Sequence, residues 1–97
     1  VAHKIRLLGN IVEIAKVESA LSDGAYSGQV FYQVIDAERA DEVIDDVGEL
    51  VRGCLPNLLA GSANEDGAAR NKRLKADLNL QLRDRGLLIT RVQVVHL

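Results

Sequence analysis

Near Gly86 the apolar spacing of the chain changes from four to two, and that change limits what the sequence can fold into. Leu74, Leu78 and Leu82 recur at every fourth position, along one side of a helix. After Gly86, the run Leu88-Ile89-Thr90-Arg91-Val92-Gln93-Val94 alternates, as a strand with one buried face does. Asp66 is placed to cap the helix by accepting a backbone N–H. Arg83 and Arg85 precede Gly86, which is the order expected of a last turn and a left-handed stop. Arg70, Lys72, Arg73, Lys75, Asp77, Arg83 and Asp84 fill the intervening positions and are expected on a wet surface. One helix cannot bury its leucines alone, and one strand cannot pair with itself. The upstream chain must supply a sheet and a second helix.

Read from the start, Lys4-Ile5-Arg6-Leu7 alternates and is a short strand candidate, and Gly9-Asn10 turns the chain into Ile11-Val12-Glu13-Ile14. Residues 17–21 form a weaker extended segment. Ser22-Asp23-Gly24 signals a tight turn. Gln29-Val30-Phe31-Tyr32-Gln33-Val34-Ile35 follows and has apolar groups on both sides, as a central strand requires. Asp36 is a helix cap, and Ala40, Val43, Ile44, Val47, Leu50, Val51, Cys54, Leu55 and Leu58 then step by three or four. Pro56 lacks an N–H, which predicts a kink or break within residues 53–56. Residues 61–64 read as a loop.

Strands, helix, helix, strand is the order of an α+β domain. The expected architecture is an antiparallel-rich mixed sheet with two helices on one face, closed by the C-terminal strand beside the segment centred on Phe31. Ninety-seven residues suit a single domain spanning 1–97. The chain opens on Val1, so it reads as a processed or excised piece of a longer protein.

Composition excludes several roles. Phe31, Tyr26 and Tyr32 are the aromatic residues, too few for a nucleic-acid stacking platform. A net charge of −2 gives no basic field for nucleic acid or anionic lipid. No apolar run is long enough to span a bilayer. Cys54 is the lone cysteine, on the apolar side of its helix, and is read as core packing. His3 and His96 sit at opposite ends without metal-ligand spacing. No catalytic residue, cofactor site or metal site is expected, and the chain is read as non-enzymatic.

The remaining signal is a division of charge. Glu42, Asp45, Asp46 and Glu49 crowd one helix, while Lys72, Arg73, Lys75 and Arg83 mark the other. Joined within one molecule, such faces form ordinary surface ion pairs. Joined between copies, they form head-to-tail contacts that build rings or filaments. These eight residues are the candidate oligomer interface.

The order of motifs resembles the stomatin–prohibitin–flotillin, or band 7, family. Glu18-Ser19-Ala20-Leu21-Ser22-Asp23-Gly24 is similar to that family's extended segment ending in "DG". Residues 29–40 are similar to its strand ending in "Y-x-V-x-D-x-E-x-A", and residues 50–60 to a helix of the "L-R-x-x-x-G" kind. Residues 85–94 are similar to its closing "W-G-I-x-V-x-x-V-x-I", with Arg85 in place of the aromatic residue and Pro56 interrupting the helix. The resemblance implies a non-enzymatic, homo-oligomeric scaffold in a membrane-associated parent protein. It would organise lipids, proteases or channels, with membrane attachment through segments outside this stretch. A flagellar stator-associated protein with a similar periplasmic domain is an alternative, since Asp66-Gly67 and the helix after it are loosely like that family's "P-E-G-K" helix. A small ligand- or protein-binding domain, with its ligand between sheet and helices, is a further one.

Overall fold

The computed structural model describes residues 10–97. The strand expected at Lys4-Ile5-Arg6-Leu7, and His3, lie outside the described residues. Three strands, β1 (Asn10–Glu18), β2 (Ala25–Val34) and β3 (Leu87–His96), form one antiparallel sheet in the order β1-β2-β3. Three helices, α1 (Ala37–Val43), α2 (Val47–Leu59) and α3 (Gly67–Leu82), lie between β2 and β3 in sequence. The class is α+β, as expected, but among the described residues the sheet is wholly antiparallel rather than mixed, and there are three helices rather than two.

Among the described strands the central one is β2, the segment with apolar groups on both sides, with β1 along one edge and β3 along the other. Phe31 pairs with Ile11 on one side and Arg91 on the other, so the C-terminal strand does return beside it. Val12 and Ile14 alternate with exposed Ile11 and Glu13, and a bulge before Val17 lets one strand continue to Glu18. Ile11–Ile14 and the weaker segment after it are therefore one element. A second irregularity, between Phe31 and Tyr32, leaves Thr90 of β3 without a cross-strand partner. Gly28 accepts a φ of 148° where a side chain would run into the Gln93 carbonyl of β3.

Expectation and structure part most clearly over the first helix. The break comes at residues 44–46, not at Pro56. Ile44 is extended, and the Asp46 side chain accepts from the Glu49 N–H at 3.1 Å, starting α2 afresh. An aspartate that captures a backbone donor competes with helix continuation, and here it wins. Pro56 lies inside α2 near its end, and the donor it lacks would have served the carbonyl of exposed Arg52. Water reaches such a position, so the loss is small.

Ala40, Ile44, Val47, Val51, Leu55 and Leu59 form the buried stripe of the first two helices, and Leu74, Leu78 and Leu82 that of α3. They meet Val12, Ile14, Tyr26, Val30, Ile89, Val92 and Val94 in one core. Helix α2 lies over β1 and α3 over β3. The other sheet face carries Glu13, Gln29, Arg91 and Gln93. At Gly86 (φ 84°, ψ 16°) a 3-10 turn (Arg83–Arg85) ends and β3 begins. Its carbonyl accepts the N–H groups of Ile35 and Asp36 at 2.8 and 3.2 Å, which ties the end of β2 to the start of β3.

Candidate assembly surface

Because α2 covers β1 and α3 covers β3, Glu49 and the pair Lys72 and Lys75 lie on helices over opposite edges of the sheet, whereas α1, which carries Glu42, contacts the 3-10 turn that begins at Arg83. Ion pairs form within the chain between Arg39 and Glu42 (3.9 Å), and between Arg73 and both Glu65 (2.9 Å) and Asp77 (3.0 Å). Among the described residues, none joins Glu42, Asp46 or Glu49 to Lys72, Lys75 or Arg83. Both faces are exposed: Glu42, Asp45, Asp46 and Glu49 on one, Lys72, Lys75 and Arg83 on the other.

Arg73 is only partly exposed and is engaged within the molecule. Its Nε and one Nη bind the Glu65 carboxylate at 2.9–3.2 Å, and the same Nη donates to Ser62 Oγ at 2.8 Å. The other Nη donates to the Leu58 carbonyl and to Asp77, each at 3.0 Å. All five guanidinium N–H groups are used inside the molecule, in the fork geometry that distinguishes arginine from lysine. The bound guanidinium holds the Glu65 carboxyl below its ordinary range, and the same contacts raise the pKa of Arg73. Arg73 fastens the α2–α3 loop. Asp46 is likewise partly committed, as the cap of α2.

Arg70, expected on the wet surface, is 4% exposed. Its guanidinium stacks 5.0 Å from the centroid of the buried Tyr26 ring and donates to the carbonyls of Ser62 and Glu65. Arg70 precedes Leu74 by four residues, so the stripe 70-74-78-82 held the signal that it points inward. His96 lies against the same tyrosine, with ring centroids 4.9 Å apart. Nearby, Asp23 accepts from Ser19 Oγ and from the Gly61 N–H (2.9 Å). The Ala20 N–H donates to the Pro56 carbonyl at 2.8 Å, so the β1–β2 turn is seated on the end of α2. The Ser19 hydroxyl, foremost, lowers the pKa of Asp23.

Cys54 is half-buried against the core, and burial raises its thiol pKa. Among the described residues no group of three or more His, Cys, Asp or Glu is placed to hold a metal ion. No described helix is long and apolar enough to cross a membrane. An open groove of about 320 Å³ is lined by Asn10, Ile11, Phe31, Tyr32, Gln33 and Thr90. No helix residue lines it, so it is not the space between sheet and helices that a binding domain was expected to use.

Leu80 and Val43 are among the exposed large hydrophobic residues, with Ile11, Leu21, Ile35, Val95 and Leu97. Leu80 is 81% exposed on the basic helix, and Val43 is 39% exposed among the acids. Val43 fits the apolar stripe by spacing, and only the break after it turns it outward. A scan against models of protein families finds none that matches the chain, and a search of curated proteins finds no match.

Proposed function

We propose that this domain is a non-enzymatic scaffold module that assembles head to tail in a membrane-associated complex, of the kind its likeness to the stomatin–prohibitin–flotillin family implies. The observation that supports it is the separation of charge between α2 and α3: exposed Glu49 lies on the helix over one sheet edge, exposed Lys72 and Lys75 on the helix over the other. A contact between unlike patches on successive copies leaves a patch free at each end, so it propagates into a ring or filament. Opposite charges steer the encounter and set the register. Membrane attachment, in this proposal, is supplied outside the domain.

Sedimentation at low and high salt tests it. Larger species are expected at low salt, shrinking as screening rises. Lys72→Glu combined with Lys75→Glu should remain folded and stay monomeric. Arg73 is left intact, because reversing it would disturb the α2–α3 loop. A wild-type chain that is a salt-insensitive monomer at high concentration, or unchanged assembly by the double variant, overturns the proposal.

The flagellar alternative is favoured by one feature. Asp66 caps α3 at Gly67, in the stretch that is loosely like that family's "P-E-G-K" helix. It uses the same surface and differs in the membrane complex it serves. Co-purification of the parent protein with flagellar basal structures would favour it.

A further inference from the structure

We draw no further inference here: the strongest candidate, the open groove at the end of the sheet where β1 begins, lined by Asn10, Ile11, Phe31, Tyr32, Gln33 and Thr90, is a partly apolar surface, and nothing in the structure shows what covers it.

Discussion

Asn79 binds the backbone of Ile89 in both directions: its Nδ2 donates to the Ile89 carbonyl at 3.1 Å, and its Oδ1 accepts the Ile89 N–H at 2.8 Å. Two turns earlier, Asn71 Oδ1 accepts the Val94 N–H at 3.1 Å. Strand β3 is an edge strand, and these amides occupy backbone groups that would otherwise offer a template to another chain. The α3 helix thus packs on the sheet and also closes one of its edges. At Ile89 and Val94 these contacts oppose a sheet running from copy to copy through β3.

Replacing Asn79 with leucine leaves the N–H and carbonyl of Ile89 without these partners. A loss of about 1–3 kcal/mol is expected in urea denaturation. Turbidity on prolonged incubation should rise as well, because the β3 edge is opened. A variant as stable and as soluble as wild type would show that the amide is dispensable.

Arg73→Ala removes five donors from the junction of α2, α3 and the loop between them. The partners are partly solvated, with side chains of Glu65 and Asp77 about one-third exposed, so water recovers part of the loss. A destabilisation of about 1–2 kcal/mol is expected. Arg73→Lys should recover little of it, since an ammonium cannot reproduce the fork. Lys72→Ala, one position away and exposed, should leave the melting temperature unchanged.

Asp23 and Glu65 both titrate below the ordinary carboxylate range in the folded chain. A depressed folded pKa means that the unfolded chain takes up protons first as the pH falls. The associated stability is therefore complete above roughly pH 5 and is lost as the pH drops through the carboxylate range toward the folded values. Thermal melts from neutral to acid pH should show this decline. Asp23→Asn and Glu65→Gln should each flatten it while lowering stability at neutral pH; an unchanged acid slope would rule out that residue's contribution.

Gly86→Ala introduces a Cβ where φ is 84° and where the carbonyl of Asp36 already fills the space. Backbone strain and overlap act together, and a loss of at least about 2 kcal/mol is expected. Gly53→Ala meets nothing nearby and lies in a helix, so it should be neutral or stabilising by up to about 1 kcal/mol. Chemical denaturation of the pair measures both. Equal effects would mean that the β2–α1 corner yields more readily than its geometry implies.

Local signals carried far in this chain. Asp36 and Asp66 cap the helices they precede, Gly86 takes the left-handed conformation, and Leu74, Leu78 and Leu82 are buried as their spacing required. Each depends on a backbone donor, a dihedral preference or a helical period within a few residues. The break at residues 44–46 was visible only in part, since tandem aspartates within a good apolar stripe satisfy both continuation and capping. The candidate surface was less legible still. Lys72 and Arg73 are adjacent cations in the sequence, yet one meets solvent and the other Glu65, Asp77, Leu58 and Ser62.

Periodicity and capping act over short separations, so the residues alone were enough for the class of fold, the C-terminal helix and strand, and the uneven distribution of charge. The tertiary structure decided which charges are spent inside the molecule and which remain outside. It placed Arg70 against Tyr26, drew Arg73 into a loop formed by residues many positions away, and left Leu80 and Val43 uncovered. Those outcomes depend on how helices and loop meet across the core, and a guanidinium reaches whichever carbonyls and carboxylates that packing brings near.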